Sequence, residues 1–283
     1  MADWAAFAGL TGVVCALLLT LARLSQTAVR DDPRPLPAGD PPDLDPTSAD
    51  TNGSGPAVDT AEPHHGPAHQ QAAAAAAPSL PDSTPALLAN VALTQGVFGA
   101  ILLGGAVFFR IPASAFGVTA DALSTGLPAL VLGLGLGAVL YVANELAAET
   151  ADAAGVEHDE GLRDLLAPDS LAGWAVLMLV VLPIVAGVEE FIFRAAIVGA
   201  TAAGFSVSPW LLAVVSSVAF ALGHGAQGPA GIVVTGSLGL VLAAAFVVSG
   251  SLLLVVVAHY VVNALEFLVH EGLGVDPFSR AAG

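Results

Sequence analysis

Long apolar runs separated by short polar segments organise most of the chain. About 20 consecutive apolar residues are needed to cross the hydrocarbon core of a bilayer, and a span there must satisfy its backbone polar groups within a helix. The pattern therefore predicts an all-α, polytopic transmembrane helical bundle of about seven spans. The predicted spans cover residues 4–24, 86–109, 123–146, 171–203, 210–224, 230–248 and 251–270.

The stretch that follows the first apolar run is polar. Residues 25–85 are rich in proline, glycine, aspartate, serine and threonine. Such a segment cannot bury a core, so we predict a long disordered linker after the first helix. His64, His65 and His69 lie in it and are expected to be solvated, because a disordered tract offers no fixed metal geometry. The predicted parts are an N-terminal transmembrane helix at 1–24, the linker, a helical core at 86–271 and a polar tail at 272–283.

Small residues and a proline refine the predicted bundle. The third run carries four glycines between positions 126 and 137, and small residues let membrane helices approach closely, so we expect a packed inner helix there. Asn144 and Glu145 end that run and are expected to be polar residues near the membrane interface. Pro183 is expected to kink the fourth run, because proline removes a helical hydrogen bond.

Composition supports a membrane protein and excludes one class of partner. The chain is 55% hydrophobic and 11% charged, whereas soluble domains have about 25% charged residues. The formal net charge is -17, which argues against a nucleic acid partner because phosphate binding needs a basic patch. The basic residues are all arginine, and with the acidic excess this composition suggests a salt-loving archaeon as the source. The single cysteine, Cys15, excludes an intrachain disulfide.

Two adjacent carboxylates and an arginine stand in the middle of the fourth apolar run, at Glu189, Glu190 and Arg194. An ionised side chain at bilayer depth costs at least ~2.5 kcal/mol, so three of them in one helix need a stabilising arrangement. Glu190 and Arg194 are four residues apart and share a helix face, where they can pair. Glu189 then points about 100° away from Glu190, so we expect it to face a cavity. The alternative is a charge pair that only orients helices.

Two later runs carry polar residues at helical spacing. The fifth ends in Phe220-x-x-x-His224, and the seventh contains His259-x-x-x-Asn263. His259 and Asn263 share one helix face, and a glutamate and a histidine follow on nearby faces at positions 266 and 270. Each polar group alone would be left unsatisfied in hydrocarbon. We therefore expect one shared site built from Glu189, Glu190, Arg194, His224, His259 and Asn263.

These residue types are suited to hydrolysis. A glutamate and a histidine can hold and deprotonate a water molecule, and a histidine with an asparagine can donate hydrogen bonds to a developing oxyanion. Ser216, Ser217 and Ser237 have no base partner at motif spacing, so attack by water on an amide is favoured over an acyl-enzyme. Glutamate and histidine could instead hold zinc, but the chain has no His-Glu-x-x-His segment of the ordinary zincin type.

Together, the segments at 189–194, 220–224 and 259–263 resemble the motifs of a known family. Their order, spacing and placement in apolar helices are similar to those of the CPBP family, which includes type II CAAX prenyl endopeptidases and Abi-like intramembrane proteases. Each motif alone is a weak signal, whereas the three in order are specific. The resemblance covers about residues 171–263 and the two preceding spans, but neither the first helix nor the linker.

The resemblance implies an all-α membrane core that cuts peptide bonds in a peptide or membrane-protein substrate within the lipid bilayer. Carried over residue by residue, Glu189 and His224 would position and activate the water molecule. His259 and Asn263 would stabilise the oxyanion. These roles follow from the family and are expectations for this chain.

The resemblance also implies supporting residues and a cofactor. Glu190 and Arg194 would shape the site, with Glu190 also in contact with the water or a metal, and Phe220 would pack beside His224. Family members are commonly described as metalloproteases, which makes zinc the expected cofactor. Its expected ligands are Glu189, His224 and His259.

Two other classes of function are compatible with the same residues. A non-catalytic membrane scaffold or a bacteriocin-immunity-like protein would keep the fold without needing Glu189. A proton-coupled transporter would use the carboxylates and histidines as a relay. Transporters commonly contain inverted repeats with paired broken helices, and the sequence shows no internal repeat, which disfavours this third class. No pattern in the chain indicates its oligomeric state.

Overall fold

A computed structural model describes residues 1–31, 83–153, 161–225 and 228–275. Most of the predicted linker, with His64, His65 and His69, lies outside these residues, as does the chain from residue 276 onward. Helices account for nearly all of the described chain, and none of its residues lies in a strand. The predicted all-α class is therefore confirmed.

The helices follow the predicted spans closely. They are α1 (Trp4–Asp31), α2 (Thr84–Phe108), α3 (Ala122–Thr125), α4 (Leu127–Ala153), α5 (Gly161–Leu166), α6 (Leu171–Phe205), α7 (Pro209–Gly223), α8 (Gly228–Ser249) and α9 (Leu252–Gly272). Within the described ranges, 6 helices are long and apolar enough to cross a membrane, and α7 adds a shorter apolar helix. This count agrees with the prediction of about seven spans.

The third span begins later in the structure than its hydropathy predicts. Asp121 accepts a hydrogen bond from the Leu123 amide at 2.8 Å and caps the short helix α3. Gly126 then adopts an extended conformation, so α4 begins at Leu127. Residues 122–125 therefore form a separate short helix that leads into the span.

Glycines allow α4 to pack directly on α9. A Cβ on Gly133 would lie 2.7 Å from the Leu254 carbonyl oxygen, and one on Gly137 would lie 2.7 Å from the Ala258 carbonyl oxygen. The close approach predicted for the third span is thus present, and it depends on these two positions. Gly135, between them, has open space around it.

The winding of α6 changes along its length. It contains two π-helical stretches, Leu177–Val181 and Phe191–Ala200. The first ends just before Pro183, where we expected a distortion, and the second begins directly after the acidic pair. Ser216 of α7 donates to the carbonyl oxygen of Phe193 at 2.6 Å. This bond satisfies a backbone group in the longer π stretch, as a lipid environment requires, and π turns are frequent at functional sites.

The first helix contributes to the core around α6, although it is distant in sequence. The ring centroids of Phe7 in α1 and Phe116 lie 5.5 Å apart, and those of Phe116 and Phe191 lie 5.2 Å apart. Phe98 and Leu102 of α2 are buried in the same apolar cluster. Helices α1, α2 and α6 therefore share one core beside the charged residues of α6.

Candidate active site

A fully buried ion pair lies at the centre of the site. Arg194 Nη1 donates to Glu190 Oε1 at 2.7 Å, and both side chains are 0% exposed. The predicted pairing of these residues on one face of α6 is therefore present. Removing one partner would leave a buried charge uncompensated, which costs about 3–5 kcal/mol in such pairs.

Two further contacts hold the guanidinium of Arg194 in place. Its Nη2 donates to the Gly239 carbonyl oxygen in α8 at 2.9 Å, and its Cζ lies 4.7 Å from the ring centroid of Phe220 in α7. A Cβ on Gly239 would lie 3.1 Å from Phe220 Cδ1 and 3.4 Å from Arg194 Nη2. The missing side chain of Gly239 therefore lets α8 come close enough to accept this bond. Arg194 links α6, α7 and α8.

His259 of α9 contacts the same carboxylate. Its Nδ1 lies 2.7 Å from Glu190 Oε1. Because a carboxylate that is paired with arginine can only accept, Nδ1 carries the proton and donates it. This bond turns the other ring nitrogen, Nε2, toward Glu189, whose Oε2 is 3.8 Å away. That separation is too long for a direct hydrogen bond and suits a bridging water molecule.

Glu189 is the carboxylate that stays outside the buried ion pair. Its side chain is 13% exposed, and Gln95 of α2 donates from Nε2 to Glu189 Oε1 at 3.3 Å. Two buried acceptor atoms nearby, Glu190 Oε2 and Gln95 Oε1, have no hydrogen-bond partner among the described residues. Buried acceptors of this kind normally have a partner, which a bound water molecule would supply.

His224 joins the site through Phe220. The two ring centroids lie 4.5 Å apart, and the Phe220 ring also meets the His259 ring edge to face, with centroids 5.9 Å apart. His224 Nδ1 donates to the Phe220 carbonyl oxygen at 2.9 Å. A carbonyl oxygen can only accept, so in the neutral ring Nε2 keeps a free lone pair. The predicted packing of Phe220 beside His224 is present.

Asn263 lies one helical turn after His259 on α9. Its side chain is half-buried. The amide makes no hydrogen bond to any residue of the described ranges. It is therefore free to donate to a bound molecule.

The structure brings most of the predicted site residues into mutual contact. Hydrogen bonds, ion pairs and ring contacts connect Glu190, Arg194, His259 and Phe220, and Glu189 faces His259 across 3.8 Å. Phe220 links His224 to this group, and Asn263 shares the helix of His259. The chemical roles that we predicted for these residues stay predictions.

Sequence reasoning missed two contributors. Gln95 is one of the few polar residues in α2, and a buried amide in an apolar span is a recognised signal of function. Its spacing pairs it with no other polar residue, however, so the sequence cannot assign its partner. Gly239 contributes a backbone carbonyl oxygen, for which the sequence carries no side-chain signal.

The arrangement of the expected zinc ligands does not fit a bound ion. Ligand atoms of a tetrahedral zinc site lie about 3.3 Å apart, given metal–ligand distances near 2.0 Å. Glu189, His224 and His259 have suitable side chains, and Glu189 Oε2 lies 3.8 Å from His259 Nε2. The ligand atoms of these three described residues, however, do not all lie within 4.8 Å of one another. Across the described ranges, the group that meets this criterion is Glu145, Glu266 and His270.

Comparison with known proteins supports the motif assignment. Residues 171–265 match the family model described as type II CAAX prenyl endopeptidase Rce1-like. No curated protein and no solved structure matches the chain. The matched segment contains all three motifs at 189–194, 220–224 and 259–263, so the predicted family resemblance is confirmed.

Proposed function

We propose that this multi-pass membrane protein hydrolyses peptide bonds with a water molecule activated by Glu189 and His224. Its residues 171–265 match the family model described as type II CAAX prenyl endopeptidase Rce1-like. The family supports an intramembrane endopeptidase in general terms. The observation that carries the finer proposal is the division of labour between the two glutamates. Glu190 is fully buried with Arg194, whereas Glu189 is partly exposed and faces a fixed imidazole nitrogen.

Glu189 is suited to accept a proton from water. Gln95 holds one carboxylate oxygen, Oε1, at 3.3 Å, which leaves Oε2 directed at the gap in front of His259. General base catalysis needs a positioned acceptor within hydrogen-bond reach of the water, and it contributes typically about 10²–10⁴-fold in rate. A water molecule in the 3.8 Å gap beside Oε2 would satisfy that condition.

His224 is suited to assist as a second acceptor. Its Nδ1 proton is committed to the Phe220 carbonyl oxygen, so the lone pair of Nε2 is available to the same water or to a proton in transit. Ring contact with Phe220 limits the orientations of the imidazole. This fixed tautomer supports a role for His224 in proton transfer.

His259 and Asn263 are suited to stabilise negative charge on the substrate carbonyl oxygen. The Glu190 carboxylate, in short contact with His259 Nδ1, can stabilise an imidazole that carries both protons, and the Nε2–H group of that ring can donate to an oxyanion. The Asn263 amide, which has no partner in the described structure, can add a second donor. Two such donors form the usual basis of oxyanion stabilisation.

The proposed reaction is a direct hydrolysis. The water oxygen attacks the carbonyl carbon of the substrate while its proton moves to Glu189, and the carbonyl oxygen becomes an oxyanion held by His259 and Asn263. The C–N bond then breaks as the transferred proton is delivered to the leaving amine. The second proton of the water stays on the new carboxyl group and then passes to the amine, so the products are a carboxylate and an ammonium group, and the side chains return to their starting states.

The described serines support attack by water over an acyl-enzyme. The hydroxyl groups of Ser216, Ser217 and Ser237 donate to backbone carbonyl oxygens at 2.6, 2.7 and 2.8 Å. None of these three serines is hydrogen-bonded to a histidine. A serine nucleophile needs a base within hydrogen-bond reach, which these hydroxyl groups lack.

Zinc binding at this site stays a prediction that the proposed reaction does not need. Glu189, His224 and His259 would have to converge further to hold an ion, so no step above is routed through a metal. The metal content of the purified protein, measured with and without Glu189→Gln, tests this point. A stoichiometric zinc ion that is lost with Glu189→Gln would place the metal at this site.

The proposal is tested by profiling new peptide N-termini in liposomes that contain the purified protein and a membrane protein extract. The wild-type chain should generate N-termini that are absent with Glu189→Gln. Glu271→Gln is a matched control, because its side chain is 17% exposed and belongs to a different ion pair. The same cleavage products from wild type and from Glu189→Gln would contradict the proposal and favour a scaffold role.

A further inference from the structure

A second group of ionisable residues, one buried and two partly buried, lies at the adjoining ends of α4 and α9. Its members are Glu145, Glu266 and His270, which we call the α4–α9 cluster. His270 Nε2 lies 2.7 Å from Glu145 Oε1 and 3.9 Å from Glu266 Oε2. One ligand atom from each residue lies within 4.8 Å of the other two. The two carboxylates and the imidazole therefore point at a common position.

The cluster is separate from the candidate active site. His270 follows His259 by 11 residues in α9, which corresponds to about 16 Å along a helix axis. All three members lie outside residues 171–265, the segment matched by the family. Its residues are therefore distinct from those of the proposed peptide hydrolysis.

Neighbouring side chains orient Glu266 toward His270. Asn144 donates to Glu266 Oε1, which leaves Oε2 as the oxygen that faces the imidazole. Arg163 of α5 donates to Glu266 Oε2 at 3.2 Å and to Glu271 Oε1 at 2.8 Å. Supporting hydrogen bonds of this kind are typical of the residues that surround a metal site.

An unsatisfied phenol group points to a missing ligand. Tyr141 precedes Glu145 by one turn of α4, so the two share a helix face. Its side chain is 8% exposed, and its hydroxyl makes no well-formed hydrogen bond to a described residue. Glu145 is close enough to act on this hydroxyl through its charge and a weak hydrogen-bonding contact, and the charges of Glu266 and Arg163 also act on it. A buried hydroxyl without a well-formed hydrogen bond calls for an explanation, and a ligand held by the cluster provides one.

We propose that Glu145, Glu266 and His270 bind one divalent ion of the zinc class. Imidazole with carboxylate is a common ligand set for zinc, whereas calcium and magnesium prefer oxygen ligands alone. The observed separations of 2.7 and 3.9 Å lie on either side of the roughly 3.3 Å expected between zinc ligands. Small side-chain movements therefore suffice, and the Tyr141 hydroxyl or a water molecule can complete the coordination.

Charge balance favours a cation at this position. Three carboxylates, from Glu145, Glu266 and Glu271, face the guanidinium of Arg163 and the imidazole of His270 in the described structure. A divalent ion would replace the proton that His270 now donates to Glu145. The proton leaves when the ion binds, so affinity should fall as pH falls. Arg163 can keep its shorter contact with Glu271 while Glu266 Oε2 turns to the metal.

The test is a zinc titration of the full chain, purified in detergent without an affinity tag and stripped with a chelator. His64, His65 and His69 are replaced by alanine so that they cannot contribute. We expect one zinc ion per chain, with cobalt as a substitute that reports tetrahedral ligation by its visible absorption. His270→Gln and Glu145→Gln should weaken zinc binding by more than the roughly 10–100-fold expected for Asn144→Ala, a supporting residue.

Two controls distinguish zinc binding at the α4–α9 cluster from binding at the candidate active site and from loss of the fold. Glu189→Gln removes a carboxylate of the candidate active site and should leave the zinc affinity unchanged. Size-exclusion profiles and unfolding midpoints identify any variant that fails to fold, and Glu145→Gln keeps a hydrogen-bonding side chain there. A wild-type chain that binds no stoichiometric zinc, or equal affinity in His270→Gln and wild type, would overturn the proposal. Loss of binding with Glu189→Gln alone would overturn it as well, by assigning the ion to the candidate active site.

Discussion

The candidate active site and the α4–α9 cluster use the same two residue types but balance their charges differently. In both, a histidine nitrogen lies 2.7 Å from a glutamate oxygen. In the active site, a fully buried arginine neutralises that glutamate, and a second glutamate is left facing the imidazole. In the α4–α9 cluster, the imidazole faces two carboxylates, and Arg163 contacts only one of them.

This difference shows how one pair of residue types can serve two purposes. A carboxylate that is already paired with arginine fixes a histidine and receives its proton in a hydrogen bond without needing a further cation. A histidine between two carboxylates leaves excess negative charge, which a proton or a metal ion can balance. Under the two proposals made above, the position of the arginine distinguishes a histidine that takes part in hydrolysis from one that binds a metal ion.

The largest expected effect comes from removing the buried arginine. Arg194→Gln should lower the free energy of unfolding by about 3–5 kcal/mol, because it leaves Glu190 as an uncompensated buried charge. Arg163→Gln should cost about 1 kcal/mol or less, because that ion pair is partly exposed, at 16% for both side chains. Unfolding of both variants in the same detergent measures the difference. Equal losses would show that the two arginines have equivalent surroundings.

The next effect concerns the two glutamates of the active site. Glu189→Gln should reduce the cleavage rate about 10²–10⁴-fold, as expected for loss of a general base, while the unfolding midpoint stays close to that of the wild type. Glu190→Gln should lower both the cleavage rate and the unfolding midpoint, since it also removes the partner of Arg194. Cleavage assays and thermal unfolding on the same preparations distinguish the two outcomes. A stable Glu190→Gln variant would contradict the structural role given to that residue.

A smaller effect is expected at Gln95, a positioning residue. Gln95→Leu removes one hydrogen bond to Glu189, which corresponds to about 1.5–3 kcal/mol for a bond to a charged group, or roughly 10–100-fold in rate. Gln95→Glu tests whether the amide donor is needed, because it keeps the length of the side chain while removing the N–H group that reaches Glu189. Loss of stability with an unchanged kcat would indicate a structural role only.

The smallest effect is expected at a glycine. Gly239→Ala places a methyl group 3.1 Å from Phe220 Cδ1 and 3.4 Å from Arg194 Nη2, so it should destabilise the protein by about 1–3 kcal/mol, as overpacking does. Gly135→Ala is the matched control in another helix, because no atom lies within 4 Å of the added carbon. The thermal unfolding midpoints of Gly239→Ala and Gly135→Ala measure this difference. Equal midpoints would show that α8 can move away from Arg194 without cost.

The sequence was sufficient to predict a contact where both residues lie in the same helix. Four-residue spacing placed Glu190 beside Arg194, and the apolar runs located the spans, because helix geometry relates neighbours along the chain directly. It could not show that His259, and not His224, contacts Glu190. That contact depends on how α9 is rotated relative to α6, which no spacing within a helix determines.

Two other features required the three-dimensional packing. Asn144 and Glu145 end an apolar run, so we expected interfacial polar residues, but Glu145 is only 6% exposed and contacts His270. The two residues are far apart in sequence and meet only because Gly133 and Gly137 bring α4 onto α9. The role of Gly239 is a backbone contact, which residue types do not reveal.

A double-mutant cycle on Glu189 and His224 is the sharpest test of whether both side chains act on one water molecule. Residues that act as a unit in one reaction step show strongly non-additive effects. We expect the variant carrying both Glu189→Gln and His224→Ala to cleave its substrate at nearly the rate of the slower single variant. Rate losses that multiply, or wild-type cleavage by either single variant, would contradict joint activation of the same water by these two side chains.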